Sequence, residues 1–200
     1  MNPTQLIATP QDIFLKNLRE GTAESHIALE DNSISKALLS EEVSLQDYQV
    51  YLEKMYGLIK GIENDVYPIV QEIFPDLELR KKGFLIENDL RNTGYSAEKF
   101  SSIPVKHFIT DDVNRSTGMM YVLEGSSLGG RILYKHVNKY LGLTESIGAS
   151  FFAGYGDQTG PMWKSFVKNF TDHAVNTASQ QSIIDAASQT FREVGEWLSS

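Results

Sequence analysis

Apolar residues recur along almost the whole chain every three or four positions, the spacing that places them on one face of an α-helix. The first such stripe contains Phe14, Leu18 and Leu29, and a second contains Tyr48 and Leu52. No stretch alternates apolar and polar residues in the way that is typical of a half-buried strand. The pattern therefore predicts an all-α fold, a single-domain multi-helix bundle around one core.

Two short sequences indicate where the first long helices begin. Thr9 with Asp12, and Ser44 with Asp47, have the spacing of a capping box, in which each side chain accepts the other residue's backbone N–H. Thr110 or Asp111 is expected to cap the N-terminus of a third long helix. The pattern predicts one domain over 1–200, with 1–9 as a flexible tail, and helices over about 10–31, 45–68, 76–92, 113–141, 161–177 and 182–198.

Length and composition narrow the function classes. A chain of 200 residues is the size of one domain. Asp and Glu outnumber Lys and Arg by 26 to 18, and the net charge of −8 disfavours a general nucleic-acid binder. The absence of cysteine excludes disulfide frameworks, Cys-ligated zinc, iron–sulfur clusters and thiolate nucleophiles.

Targeting and membrane signals are not visible in the sequence. The first 14 residues contain neither a basic segment nor the apolar run of a secretory signal. No window approaches the roughly 20 apolar residues that cross a bilayer. These observations predict a cytoplasmic protein that binds neither a membrane nor nucleic acid.

One of the four histidines is placed as a metal ligand would be. His26 lies in the first predicted helix, and Glu30 follows one turn later on the same face. A histidine that ligates a metal usually donates its other ring N–H to an acceptor such as a carboxylate. The same pair is also common on exposed helix faces. The paired Glu-x-x-His motifs of a di-iron bundle are not present.

Glycines cluster inside the helix predicted over 113–141. Gly125, Gly129 and Gly130 remove the side chains from one face, although an interior glycine costs about 1 kcal/mol relative to alanine. The bare face suits either a flat ligand against the backbone or a closely packed helix. The residues alone leave both readings open.

Three segments together resemble the haem (heme) oxygenase family. The sequence LREGTAESHIALE over 18–30 is similar to the family's proximal helix, and YVLEGSSLGGRIL over 121–133 is similar to its distal helix. PMWKSFVKNF over 161–170 and TFREVGEWL near the C-terminus follow in the family's order. The sequence of the second segment is most similar to the bacterial, biliverdin-producing branch of the family. The resemblance implies haem held between a proximal helix and a kinked distal helix.

The resemblance also implies roles for individual residues around the haem. His26 matches the axial ligand of the iron, and Glu30 matches its hydrogen-bond acceptor. Basic residues at three matching positions would pair with the haem propionates, namely Arg19, Lys164 and Lys168.

The distal segment matches the family through Gly125 and Gly129, whose backbone approaches the bound oxygen, with Gly130 following. The chain departs from one branch of the family at Ser126, where that branch has an aspartate that organises water. A hydroxyl holds water but is a poorer proton relay than a carboxylate. Glu124 is left without a role, because it lies about 100° around the helix from Gly125.

The function implied by the resemblance is oxidative cleavage of haem to biliverdin, with release of Fe2+ and CO. Haem b would be both substrate and cofactor, with O2 as oxidant. No Gly-x-Gly-x-x-Gly fingerprint is present, so electrons would come from an external donor, a ferredoxin, a flavodoxin or a reductase. The run from Arg80 to Lys82 is expected to be a solvated helix face, or a docking patch for that donor.

Two other functions stay open. The serine at position 126 keeps a non-enzymatic haem-binding or sensor protein on the same fold in consideration. An unrelated activity on the same architecture is the third possibility, since a fold does not determine a function. The thiaminase-like relatives of this fold use a catalytic cysteine, which this chain does not have.

Overall fold

The computed structural model describes residues 8–200, so most of the tail expected over 1–9 lies outside the described residues. Within that range the chain is helical and contains no strand. The ten α-helices of residues 8–200 are α1 Pro10–Glu30, α2 Ser33–Leu38, α3 Leu45–Gly61, α4 Tyr67–Val70, α5 Gly83–Asn92, α6 Ala97–Ser101, α7 Val113–Leu141, α8 Ser150–Ala153, α9 Thr159–Asn176 and α10 Gln180–Ser199. A π-helix spans Ile62–Val66, and short 3-10 helices span Leu77–Arg80 and Gly156–Gln158.

Both predicted capping boxes are present. The Thr9 hydroxyl accepts from the Asp12 amide, and the Asp12 carboxylate accepts from the Thr9 amide, at the start of α1. Ser44 and Asp47 repeat the arrangement at α3. The cap expected at residue 110 or 111 is wrong by one position. Asp112 caps α7 instead, and its carboxylate accepts from the amides of the two residues that follow Val113.

The helix expected over 76–92 is divided into a 3-10 turn and α5. Lys81 between them adopts extended backbone geometry, which ends the first segment. Glu63 of the π-helix then accepts from the amides of Lys82 and Gly83, at 2.7 and 2.8 Å, and so satisfies the first donors of α5. A contact between residues 19 positions apart therefore decides where this helix begins.

Helices α1, α7, α9 and α10 pack together around the largest part of the core. Phe14 and Leu18 of α1 lie against Phe166 and Phe170 of α9 within one buried cluster. Helix α7 approaches α10 closely at Gly118, where a Cβ would lie 2.8 Å from the Ala186 Cβ. This packing holds α1 and α7 beside each other. None of the described helices is both long enough and apolar enough to span a bilayer.

Candidate functional site

An open cleft of about 300 Å³ lies where α1 passes α7. That volume is at the lower end of the range for small-molecule and cofactor sites. The cleft walls are formed by five residues of α1 and one of α7, namely Arg19, Thr22, Ala23, His26, Ile27 and Tyr121. The structure thus brings together two of the predicted site residues, Arg19 and His26, in one cavity.

His26 lies beside Glu30 and Phe191 and remains accessible. Its side chain is 51% exposed, and its Nδ1 lies 3.8 Å from a carboxylate oxygen of Glu30. The ring packs edge-on against Phe191, with the ring centroids 5.2 Å apart. No group among residues 8–200 forms a hydrogen bond with Nε2. The separation between Nδ1 and Glu30 is longer than a hydrogen bond, so both ring nitrogens are free of hydrogen bonds within residues 8–200 and Nε2 is available to a ligand.

The charged groups expected beside the cleft are divided between two locations. Arg19 lies in the cleft two turns before His26. Lys164 and Lys168 lie on the exposed face of α9 and are not among the residues that line the cleft. The Lys168 ammonium donates to Asp172 at 2.9 Å. Across the cleft, burial raises the pKa of the Tyr121 phenol, so this wall stays uncharged at neutral pH.

The three glycines of the α7 segment have different surroundings. A Cβ on Gly125 or Gly129 would meet no atom within 4 Å, whereas a Cβ on Gly130 would lie 3.2 Å from the Phe152 carbonyl oxygen. Close packing therefore explains Gly130 but not the other two. Gly125 lies one turn after Tyr121, the α7 residue that lines the cleft, but neither Gly125 nor Gly129 is itself among the lining residues. Helix α7 remains α-helical throughout this segment.

Two of the three basic residues from Arg80 to Lys82 are buried, contrary to the expectation of a solvated face, and only Lys81 is at the surface. Arg80 is fully buried, and Lys82 is 3% exposed. The Arg80 guanidinium donates to both carboxylate oxygens of Asp76, at 2.8 and 2.7 Å, and to Glu124 at 2.5 Å. These bonds hold the pKa of the Asp76 carboxyl below its usual value. Burial is possible because carboxylates neutralise the guanidinium.

Glu124 is the centre of this buried network. Its carboxylate is fully buried and accepts from Arg80, from the Lys82 ammonium at 3.2 Å and from the Tyr155 hydroxyl at 3.0 Å. Burial, and next the charge of Glu124, raise the pKa of Tyr155, which remains a neutral donor. Asp76 and Glu124 balance the two cations. The network anchors α7 at the position immediately before Gly125.

The sequence contains one signal that could have identified Glu124 as a buried carboxylate. Glu124 follows an apolar run from Met119 to Leu123 in which only the tyrosine is polar. A carboxylate in such a run is expected to be buried, and a buried carboxylate requires cations. The partners lie 42 and 44 residues away along the chain, however, and local spacing does not identify them.

A matched pair of alanine variants tests the difference between the glycines of α7. Gly125→Ala is expected to stabilise the chain by about 0.5–1 kcal/mol, because the methyl group enters open space and alanine favours the helix. Gly118→Ala is expected to destabilise it by about 1–3 kcal/mol, because the new Cβ overlaps α10. Urea unfolding monitored by circular dichroism measures both changes. Equal effects of the two variants would contradict the packing described here.

The cleft contains one histidine, His26. Among residues 8–200, no group of three or more histidine and carboxylate side chains is placed to hold a metal ion. A single accessible histidine beside an open cleft is compatible with the one protein ligand that many haem irons have.

Comparison with known proteins agrees with these observations. The sequence model of the haem (heme) oxygenase family matches residues 12–200. The structure is similar to the haem oxygenase of Leptospira interrogans, with a TM-score of 0.75 and 20% identity over 93% of this chain and 98% of that one. It is also similar to the NO- and CO-bound haem oxygenase of Neisseria meningitidis, with a TM-score of 0.70 and 23% identity over 92% and 89%. For the haem complex of haem oxygenase-1 from Synechocystis, the TM-score is 0.71, at 20% identity over 93% and 90%. Comparison with curated protein sequences gives no match.

Proposed function

Because this chain belongs to the haem oxygenase family, we propose that it cleaves haem b oxidatively to biliverdin, with release of Fe2+ and CO. The observation that carries the proposal is the cleft itself. It has an accessible histidine on α1 and, on the opposite wall, Tyr121 of α7, which is followed one turn later by the bare backbone of Gly125.

The residues of the cleft fit a haem. His26 would bind the iron through Nε2, while Glu30 beside Nδ1 would keep the ring in the required orientation and raise its basicity. Gly125 and Gly129 leave space for a flat ring against the α7 backbone. Tyr121 and Ile27 would contact the ring faces or edge with apolar surface.

Haem, when bound, supplies the redox chemistry by which O2 is activated and the ring is opened. The contribution of the chain is to hold the ring in one orientation and to exclude bulk water from the face beside α7. Arg19 would pair with a propionate at the exposed edge of the cleft. Lys164 and Lys168 would assist from α9, for which Lys168 must leave Asp172. Ser126 would bind water near the glycines.

Electrons would reach the site from a separate ferredoxin, flavodoxin or reductase, which implies a cytoplasmic location. The second candidate is a non-enzymatic haem carrier or sensor. One observation favours it, because the Ser126 hydroxyl donates to the Leu123 carbonyl oxygen at 2.6 Å and no carboxylate occupies that position.

A spectral time course distinguishes the enzyme from the carrier or sensor. The purified chain is mixed with hemin, ascorbate is added in air, and the visible spectrum is followed. The enzyme bleaches the Soret band and forms a broad biliverdin absorption. A Soret band that survives reduction in air would establish the carrier.

Reversal of the charge at Arg19 is expected to weaken haem binding roughly tenfold, because a charge-assisted hydrogen bond to a propionate is replaced by repulsion. The difference in haem affinity between this variant and the unmodified chain should decrease as salt is added, because salt screens the charges. Hemin titration of Arg19→Glu measures it. Lys36→Glu is the matched control, since Lys36 lies on α2, is exposed and pairs with Asp31. Equal affinity of both variants and an unchanged product isomer would remove Arg19 from the haem site.

A further inference from the structure

A second, smaller cavity lies beside the glycine segment of α7. Its volume is about 30 Å³, enough for one or two water molecules. Four residues with polar side-chain atoms contribute to its walls, namely Tyr51, Lys82, Ser126 and Ser127. The other residues that line the cavity are apolar side chains and glycines, including Gly130. This space is called the Lys82 cavity below.

Lys82 brings hydrogen-bond donors to this cavity. Its side chain is 4% exposed, and its ammonium carries three N–H groups. One N–H bonds to Glu124, and the charge lies 4.7 Å from the centre of the Tyr155 ring. No other hydrogen bond of this ammonium occurs within residues 8–200. A buried ammonium with donors left over requires another acceptor, and a water molecule in the cavity would provide it.

The two serines bring acceptors to the same space. The Ser126 hydroxyl donates to the Leu123 carbonyl oxygen, and the Ser127 hydroxyl donates to the Glu124 carbonyl oxygen. Each hydroxyl proton is therefore engaged within α7, while the oxygen lone pairs remain available. Donors on Lys82 and acceptors on the serines match the hydrogen-bonding capacity of water.

The Lys82 cavity and the cleft both lie against α7, the cleft at Tyr121 and the cavity at Ser126, Ser127 and Gly130. Gly125 and Gly129 present bare backbone to open space, while the next residue along, Ser126 and Gly130 respectively, lines the Lys82 cavity. Ser126 and Gly130 are therefore each adjacent in sequence to a glycine against which the haem would lie, about 100° around the α7 axis from it.

We propose that Lys82 holds ordered water in this cavity together with Ser126 and Ser127, and that this water supports hydrogen bonding on the α7 side of the haem in place of a carboxylate. The proposal rests on the proposed function. Lys82 acts as a positioning residue, because it touches the water and not the haem.

The charges around Lys82 support this assignment. Burial lowers the pKa of Lys82, the nearby guanidinium of Arg80 lowers it further, and Glu124 and Glu63 oppose both effects. Tyr155, which contacts the ammonium, and Tyr51, on the cavity wall, both stay neutral because burial raises their pKa values. The Lys82 ammonium therefore releases its proton at lower pH than an exposed lysine, and water bound to it would become a weaker donor as pH rises.

Lys82→Met is the direct test, and Lys81→Met is the matched control. Lys81 is adjacent in sequence but more exposed, and it pairs with Glu78 at the surface. A high-resolution crystal structure of the haem-free chain is expected to show ordered water between Lys82 and the serines. That water should be missing from Lys82→Met and present in Lys81→Met. The structures do not depend on activity, so they test the water site even if the chain cleaves no haem.

Turnover gives the second readout. Lys82→Met is expected to bind hemin like the unmodified chain and to cleave it at least about tenfold more slowly. The fall in rate as pH rises through the pKa of Lys82 should be absent from this variant. Ser127→Ala removes one acceptor without removing a charge, and it provides the same test if Lys82→Met does not fold. An empty cavity in the unmodified chain, or a Lys82→Met variant with the original rate and pH profile, would overturn the inference.

Discussion

Substitution of His26 by alanine is expected to abolish haem cleavage and to change the visible spectrum of the haem complex. The reason is that His26 is the only histidine that lines the cleft within residues 8–200. Little stability should be lost, because the side chain is half-exposed. The free energy of unfolding is expected to change by less than about 1 kcal/mol.

Optical titration with hemin, followed by reduction in air, measures both effects of His26→Ala. Imidazole added to the variant should enter the space left by the ring and restore the histidine-type spectrum. His107→Ala is the control, because His107 is exposed and lies beside Asp65, away from the cleft. A His26→Ala variant with the original spectrum and turnover would exclude His26 as the ligand.

Replacement of Glu124 by alanine is expected to destabilise the fold by about 3–5 kcal/mol, the largest stability effect predicted here. The substitution leaves the Arg80 guanidinium without one of its two carboxylates and the Lys82 ammonium without the only carboxylate that it contacts in the described part of the chain. Both cations are almost fully buried and cannot reach water without opening the packing around α7. Chemical unfolding in urea measures the loss.

Two control variants isolate the charge of Glu124. Glu124→Gln retains the shape and can still accept from one cation, so its loss should be smaller. Glu20→Ala removes an exposed carboxylate that lies 3.8 Å from Lys16 on α1, and the expected change is below about 0.5 kcal/mol. A Glu124→Ala protein as stable as Glu20→Ala would show that the buried network does not hold α7.

Local features of the fold were predictable because their physics is local. Capping boxes at Thr9 and Ser44 involve residues three apart, and both are present as predicted. Helical stripes through Leu18 and Leu52 depend on side-chain spacing alone, and both residues are fully buried. The all-α fold follows from the same spacing, and the family match confirms the resemblance carried by 18–30 and 121–133.

Features that depend on distant pairing were not predictable. Three consecutive basic residues are normally solvated, and only Asp76 and Glu124 make burial of Arg80 possible. Glu63 likewise decides the start of α5 from the π-helix. In the site, the structure places Arg19 and His26 in one cleft, but the spacing of Lys164 and Lys168 did not reveal the pairing of Lys168 with Asp172.

The central claim is that the cleft between α1 and α7 cleaves haem rather than carrying it. The most direct measurement is a quantitative analysis of the products of one turnover, with hemin bound in equal amount, a physiological-type reductant such as ferredoxin, and catalase to remove free peroxide. One CO and one biliverdin are expected for each haem consumed, and His26→Ala is expected to form neither. Intact haem recovered from the unmodified chain, or bleaching without CO, would contradict it.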